Sequence, residues 1–200
     1  MRIPVLAVIF LCLACVPSPC EPLPQEGFRV AEQAKPYDLT GQSVQQLIAQ
    51  MKETGPLGKD GKRYFGKTDW LIHWRYHYET RDGAVILTRV SVTVDATTIM
   101  PRRQPPTDGV DRMAAEWARF CAALTVHERG HAENPERHGR DLYAVLHGHG
   151  PFAGVQELET FIKTQGDKSV ADANAEDIEY DKRTGHGATQ GATLREPGSN

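Results

Sequence analysis

The sequence has few cysteines, and they are unevenly placed. Only four occur in 200 residues, and Cys12, Cys15 and Cys20 lie close to the amino terminus. Cys121 is the only cysteine in the rest of the chain, which excludes a disulfide scaffold. We interpret Cys121 as a small buried hydrophobic residue of a helix, and a packed core must supply the stability.

The sequence also lacks a strong excess of charge and a second hydrophobic run. Its formal net charge is −3, which gives no electrostatic footprint for nucleic acid or for an anionic membrane surface. Beyond the first residues, no stretch is apolar enough to form a transmembrane helix. Any function must therefore come from a local site, and we expect neither a nucleic-acid partner nor an integral membrane span.

The first 20 residues have the layout of a secretory signal peptide. A short basic start precedes an apolar run over residues 3–14, which is too short to span a bilayer as a helix. Ser18 and Cys20 then give the small-x-small pattern of a cleavage site. We therefore expect an exported protein, periplasmic or secreted. Lipoprotein anchoring is less favoured, because neither Cys15 nor Cys20 follows a good lipobox.

The pattern after the signal peptide predicts a single α+β domain over residues 37–187. Residues 21–36 contain proline and glutamate and are interpreted as an extended N-terminal arm. A helix is predicted from the N-cap Ser43 to Gly55, because apolar residues repeat there at helical spacing. Residues 188–200, which are rich in glycine, threonine and proline, are interpreted as a polar flexible tail.

A β-rich block and two long helices are predicted within this domain. Residues 69–80 alternate with period two, which indicates a strand with its aromatic side chains on the core face. A glycine turn leads to an antiparallel return strand over residues 85–94. The second half predicts a helix through residues 113–131, which Pro135 kinks or ends, and a last helix over residues 154–180.

The motif that carries chemistry is His127-Glu128-Arg129-Gly130-His131. On a helix, His127 and His131 lie on one face one turn apart, and two such imidazoles can share a Zn²⁺ ion. Glu128 lies about 100° round the helix axis from His127, so its carboxylate can act as general base without taking a coordination position. A bound metal would activate water and polarise a peptide carbonyl.

A catalytic zinc needs a third protein ligand and an open position, and several residues are candidates for that ligand. His138 is one residue too late for the downstream spacing of the metzincins, and His147 and His149 are interpreted as surface residues. Glu157 and Glu159, on the last predicted helix, could supply a carboxylate ligand as in the gluzincins.

His186 lies between two glycines after the last predicted helix, where it could approach the metal from outside the motif helix. Asp181 and Thr184 could orient a ligand imidazole and fix its tautomer. Tyr180 could donate to the developing oxyanion of the substrate. Asp181 also belongs to an acidic cluster, which we interpret as a solvated helix face. The cluster consists of Asp172, Glu176, Asp177, Glu179 and Asp181.

The His-Glu-x-x-His motif and the later segment Tyr-Asp-x-x-Thr-x-His-Gly together resemble the family of predicted secreted bacterial Zn-dependent proteases known as domain of unknown function 922. The likeness covers most of residues 37–187. It implies a zincin-like fold, with an N-terminal helix and a small antiparallel sheet packed on an active-site helix and a C-terminal helix. It also implies a zinc centre with the ligands His127, His131 and His186 and the catalytic acid and base Glu128.

We therefore expect an exported zinc-dependent endopeptidase that acts on a peptide or protein substrate, with Glu128 as general base. A different class of function fits the same motif, namely a metal-binding module of a cell-envelope assembly without turnover. A third hypothesis is a metal-dependent amidase that acts on cell-wall peptides. Glu128 separates catalysis from binding alone, because a pure metal binder has no need of that carboxylate.

Overall fold

The computed structural model describes residues 25–107 and 109–197 of the chain. Within these residues the fold is α+β, with a three-stranded mixed sheet and three helices. The elements are β1 (Gly27–Leu39), α1 (Val44–Thr54), β2 (Lys67–Arg81), β3 (Ala84–Arg103), α2 (Ala114–His147), α3 (Val155–Thr184) and a 3₁₀ turn at Ala188–Gln190. None of the described helices has the length and apolarity to cross a bilayer. The signal peptide predicted for residues 1–20 lies outside the described residues.

The sheet has the strand order β1-β3-β2, so β3 is its central strand. β2 and β3 form the predicted antiparallel hairpin, and Asp82 and Gly83 take the left-handed conformation at its turn. β1 pairs with β3 in parallel along its whole length. The prediction of an antiparallel sheet is therefore wrong for one of the two strand pairs.

The predicted N-terminal arm is part of this sheet. Residues 27–36 belong to β1, where they satisfy backbone donors and acceptors along the second edge of β3. The sequence pattern did not indicate a strand, because most side chains of this edge strand are exposed and apolar alternation is weak. Parallel pairing requires a long crossover, and the chain between β1 and β3 contains both α1 and β2.

The helices α2 and α3 cover one face of the sheet. Trp70, Ile72 and Trp74 of β2 point to this face, as the period-two pattern predicted, and pack in one cluster with Val92 and Val94 of β3. The helices contribute to the same core cluster the side chains Leu142, Leu146, Leu158 and Ile162. A second core cluster joins α1 to the first half of α2 through Leu47, Met51, Phe120 and Leu124.

Pro135 does not end α2, which has 34 residues in all and runs on to His147. Proline removes one backbone donor and crowds the preceding turn, at a cost of roughly 3 kcal/mol. Pro135 is fully buried, and the burial of its ring offsets part of that cost. The last helix is also longer than predicted. It ends at Thr184, where Gly185 adopts the left-handed conformation (φ 56°) and its N–H bonds to the Asp181 carbonyl.

In the segment interpreted as a polar flexible tail, residues 190–194 pack against the rest of the domain. Leu194 is buried in the second core cluster. Arg119 of α2 donates a hydrogen bond to the Gly191 carbonyl at 2.8 Å. The polar composition of the segment concealed this apolar anchor, because one leucine among polar residues gives no periodic pattern. Residues 198–200 lie outside the described part of the chain.

Candidate metal centre

The candidate site lies where α2 and α3 run antiparallel. His127 and His131 are four residues apart on α2, and Asp177 and Asp181 are four residues apart on α3, so each pair lies on one face of its helix. The two faces meet across the helix pair. The rings of His127 and His131 lie 4.8 Å apart, centroid to centroid. Both histidines are buried, at 4% and 9% exposure.

The Asp181 carboxylate lies at the centre of this arrangement. Its Oδ1 is 3.3 Å from His127 Nε2 and 3.0 Å from His131 Nε2. The same oxygen is 3.3 Å from His186 Nδ1. Four donors around a tetrahedral Zn²⁺ at about 2.0–2.1 Å would lie roughly 3.3–3.4 Å from one another. The three distances from the carboxylate oxygen to the imidazole nitrogens are close to this donor–donor spacing. His127, His131 and Asp181 bring their donor atoms within 4.8 Å of one another.

His186 enters the site from a left-handed turn after α3. Its backbone φ is 52°, and both neighbours, Gly185 and Gly187, also have positive φ. Non-glycine residues rarely adopt this conformation, and such strain clusters at functional positions. The His186 N–H bonds to the Asp181 carbonyl at 3.0 Å, and its ring packs against Tyr64 with centroids 5.3 Å apart. The three predicted zinc ligands thus gather round one carboxylate.

The charges in the site favour a bound cation. Burial lowers the pKa of His131, but hydrogen bonds to Asp177 and Asp181 outweigh burial and raise that pKa to about 10. Burial raises the pKa of Asp181, while hydrogen bonds from His127 and His131 hold it well below its usual range. The positive charge of a protonated His131 thus compensates the negative charges of Asp177 and Asp181. A divalent ion can replace that proton, because carboxylate and imidazole are both ligands that Zn²⁺ accepts.

Glu128 is buried beside the two histidines, at 3% exposure. Its Oε2 accepts a hydrogen bond at 2.9 Å from the hydroxyl of Thr68, at the start of β2. Burial raises the pKa of the Glu128 carboxyl, and the hydrogen bond from Thr68 offsets part of that rise. Gly66 leaves room for the carboxylate, since a Cβ there would lie 2.6 Å from Glu128 Oε1. The upward shift of the pKa makes this carboxylate a stronger base, which suits a group that takes up a proton.

Tyr180 packs on the motif helix. Its ring stacks on that of His127, with centroids 5.2 Å apart and planes inclined by 11°. Its hydroxyl donates to the His127 carbonyl at 3.3 Å and accepts from the Gln190 amide at 3.0 Å. Gly130 permits this approach, because a Cβ there would lie 2.3 Å from the tyrosine oxygen. The structure therefore gives Tyr180 a packing role, and its role as oxyanion donor stays a prediction.

Thr184 stabilises the turn that presents His186. Its hydroxyl donates to the Tyr180 carbonyl at 2.8 Å and accepts from the Gly187 N–H at 3.4 Å. Among the described residues, no imidazole bonds to Thr184, so this structure does not support its predicted contact with a ligand. Asp181 does contact the imidazoles of His127 and His131, but it contacts their Nε2 atoms, which are the nitrogens that would face a metal.

Two further residues hold the outer nitrogens of the α2 imidazoles, and both were missed in the sequence. His131 Nδ1 donates to Asp177 at 3.1 Å, and His127 Nδ1 donates to the side-chain oxygen of Gln190 at 3.0 Å. Asp177 could have been found, because it precedes Asp181 by the same four residues that separate the two histidines. Its interpretation as part of a solvated face was wrong. Gln190 carried no such signal, because it lies in the segment interpreted as a tail.

The other candidate ligands lie away from this cluster. Glu159 precedes Asp181 by 22 residues on the same helix, which corresponds to about 33 Å along the axis. Glu157 lies farther still, and its carboxylate accepts from a backbone N–H in the turn before α3. His138 bonds to Glu176 at 3.0 Å, away from the three gathered histidines. Asp181 is therefore the carboxylate that accompanies the histidines.

Comparison with known proteins places the site within one family. A family model described as "Bacterial protein of unknown function (DUF922)" matches residues 34–187. No curated protein and no solved structure is detectably similar to the chain. The matched range contains the motif on α2, both aspartates on α3 and His186, and it ends before Gln190.

Proposed function

The chain belongs to the DUF922 family of bacterial proteins of unknown function, and we propose that it acts as an exported zinc-dependent metallopeptidase. In this proposal the zinc ligands are His127, His131 and His186, and Glu128 is the residue that moves the proton. The proposal also takes the fold to be zincin-like, because a sheet strand lies beside the motif helix at Glu128. The expected substrate is a peptide or a protein.

One observation carries the proposal: three histidines present a ring nitrogen to the same oxygen, at 3.0–3.3 Å. The Nδ1 atoms of His127 and His131 already donate to other side chains. In the metal-free structure the Nε2 atoms face Asp181, and a metal that replaced the protons there would be bound by the Nε2 lone pairs while each Nδ1–H kept its partner. Glu128 is buried on the same helix, one residue after the first of these ligands.

Zn²⁺ bound at this position would supply Lewis-acid chemistry, polarising a peptide carbonyl and activating water for attack. Glu128 would take up a proton from the water and return it to the leaving amine. The hydroxyl of Thr68 holds the carboxylate in place through its 2.9 Å hydrogen bond. The raised pKa of Glu128 makes it a stronger base than an exposed glutamate.

A metal-binding module without turnover is the second candidate, and the position of Asp181 favours it. If Asp181 bound zinc together with the three histidines, four protein ligands would fill a tetrahedral site, as in structural zinc sites. Glu128 bonds to Thr68 in the present arrangement and has no hydrogen bond to the described imidazoles. The two candidates therefore differ in whether a coordination position is open and whether Glu128 is needed.

A Glu128→Gln variant separates the two candidates. Zinc is measured by elemental analysis, and cleavage of a mixture of unstructured peptides is followed by mass spectrometry. We expect about one zinc per chain in wild type and variant, and a loss of cleavage in the variant of roughly 10²- to 10⁴-fold. Glu133→Gln is the matched control, because it makes the same chemical change at an exposed position of α2. It should retain both zinc and activity.

Each result of this experiment has a definite meaning. Cleavage at the wild-type rate in Glu128→Gln would refute the mechanism. Zinc binding without cleavage in any of the proteins would favour the module without turnover. If the wild-type protein bound no zinc after reconstitution, both candidate functions would be refuted. If a His186→Ala variant kept its zinc, the third ligand would be Asp181 in place of His186.

Export forms the second part of the proposal. It rests on the basic start, the apolar run over residues 3–14 and the small-x-small pattern that ends at Cys20. Sequencing the amino terminus of the chain recovered from the envelope fraction of a bacterial host tests it. A mature chain that begins at Glu21 would support cleavage after Cys20, and an intact Met1 in the cytoplasmic fraction would contradict export.

A further inference from the structure

Asp177 is held by donors from two other elements of the fold. Trp70 of β2 donates its indole N–H to Asp177 Oδ2 at 2.6 Å. Asn134 of α2 donates its side-chain amide to Asp177 Oδ1 at 2.7 Å and is itself buried, at 5% exposure. The same amide nitrogen bonds to the Ala173 carbonyl at 2.8 Å, which fixes its orientation. His131 is the third partner, with Nδ1 at 3.1 Å from Oδ1.

The contact with Asp177 keeps a proton on the Nδ1 atom of His131. A carboxylate only accepts hydrogen bonds, so the Nδ1 of His131 is the donor in its contact with Asp177. In the metal-free structure Nε2 also faces a carboxylate, that of Asp181, so the protonated ring donates from both nitrogens. A metal that replaced the Nε2 proton would be bound by the Nε2 lone pair, and the Nδ1–H bond to Asp177 would remain. Nε2 is the atom that lies 3.0 Å from Asp181 Oδ1, on the side where His127 also presents its Nε2.

We infer that Asp177 is a positioning residue of the metal site, which sets the tautomer and ring orientation of His131 without itself contacting the metal. The inference rests on the proposed metal site and adds a residue to it. A ligating histidine whose other N–H bonds to a carboxylate is oriented and more basic, and loss of such a partner weakens metal binding by about 10- to 100-fold.

Trp70 extends this positioning into the sheet. Its ring packs in the larger core cluster, so the direction of its indole N–H is fixed by the packing of β2 against the helices. A tryptophan in the core needs an acceptor for this N–H, and Asp177 supplies one. The chain of contacts from Trp70 through Asp177 to His131 joins β2, α3 and α2. This arrangement explains why an aspartate occupies a position with only 19% side-chain exposure.

An Asp177→Asn variant tests the inference, with Glu176→Gln as its matched control. Both variants remove one carboxylate from adjacent positions of α3, so they change the net charge equally. Glu176 bonds to Arg137 and His138 and is exposed. Zinc affinity is measured by competition with a chromophoric chelator, and the tautomer of His131 is read from ¹⁵N NMR of its ring in the zinc-loaded protein.

We expect Asp177→Asn to bind Zn²⁺ about 10- to 100-fold more weakly than wild type, while Glu176→Gln stays within about threefold. The ¹⁵N signal of His131 Nδ1–H should shift in Asp177→Asn, because asparagine is neutral and has one acceptor oxygen for the donors that two carboxylate oxygens now serve. Trp70→Phe keeps an aromatic ring at this position but removes the indole donor together with part of the ring, and it should weaken zinc binding by a smaller factor. Equal zinc affinity in Asp177→Asn and Glu176→Gln would overturn the inference, and so would an unchanged Nδ1–H signal in Asp177→Asn.

Circular dichroism of each metal-free variant checks that it folds. If Asp177→Asn does not fold, Trp70→Phe decides the matter, and wild-type affinity with an unchanged His131 spectrum would overturn the inference. If wild type binds no zinc, the proposed function fails and the inference fails with it. If wild type binds zinc and Asp177→Asn matches Glu176→Gln, only the inference about Asp177 fails.

Discussion

Replacement of Gly130 by alanine tests the packing of the motif helix against Tyr180. Helix propensity favours this substitution, since alanine stabilises a helix interior by about 1 kcal/mol relative to glycine. The structure opposes it, because a Cβ at position 130 would lie 2.3 Å from the Tyr180 oxygen and 2.4 Å from Cζ. Helix propensity predicts a more stable variant, and the close contact with Tyr180 predicts a less stable one. The sign of the measured change in the free energy of unfolding therefore shows which effect is larger.

The magnitude follows from what Tyr180 would have to give up. Its ring must retreat by about 1 Å to reach an ordinary contact distance of roughly 3.5 Å. That retreat gives up the hydrogen bond from Gln190 and the stacking on His127, each worth about 1 kcal/mol. Overpacking adds about 1–3 kcal/mol. After subtraction of the propensity gain of about 1 kcal/mol, we expect Gly130→Ala to lower the free energy of unfolding by about 2–4 kcal/mol.

Urea denaturation of the metal-free proteins measures this difference, and zinc affinity is measured in parallel. We expect zinc affinity to fall as well, because His127 loses the ring that packs on it. A Tyr180→Leu background is the control, since a shorter side chain leaves space for the added methyl group and the cost of Gly130→Ala should vanish there. A Gly130→Ala variant at least as stable as wild type would refute the packing argument.

Two further predictions concern the imidazoles. Because the folded-state pKa of His131 is raised to about 10 from an unfolded value of about 6.5, its charged contacts stabilise the metal-free protein fully below about pH 6.5 and progressively less as the pH rises to about 10. Denaturation curves between pH 6 and 10 should therefore show a decline in the free energy of unfolding, and a flat profile would contradict the shift. Gln190→Leu removes the acceptor for His127 Nδ1 and should weaken zinc binding by about tenfold. Gln156→Leu, at an exposed position of α3, is the control, and equal chelator-competition affinities in the two variants would contradict a role for Gln190.

The parts of the site that could be predicted from the sequence are those set by local spacing. His127, Glu128 and His131 lie where a five-residue helical motif puts them, and His186 lies in the glycine-flanked turn that its neighbours indicated. The role of Asp177 is only partly of this kind, because the sequence shows its four-residue spacing from Asp181 but not its partner His131. Asp177 reaches His131 across 46 residues of chain, and the contact exists only because α2 and α3 pack antiparallel in one particular register. The packing of side chains sets that register, and it cannot be deduced from the spacing of residues along the chain.

The packing of two segments, β1 and residues 190–194, was not indicated by the sequence, for a common physical reason. Both lie at the periphery, where a few contacts with distant residues outweigh the local composition. β1 is held by parallel pairing with β3, and residues 190–194 are held by the buried Leu194 and the hydrogen bonds of Arg119. β2 was predicted correctly because one of its faces is buried, which imposes the alternation that a sequence displays.

The balance of charge in the site is consistent with a divalent ion and distinguishes Glu128 from the other acids. Three carboxylates, those of Glu128, Asp177 and Asp181, lie in the site, and in the described part of the chain none of them bonds to a lysine or an arginine. With neutral imidazoles, a Zn²⁺ ion would cancel two of the three negative charges. Burial raises the pKa of Glu128, which makes this carboxylate a stronger base for a proton released beside the metal. Peptide hydrolysis requires a group that takes up and returns a proton beside the metal, whereas metal binding alone does not.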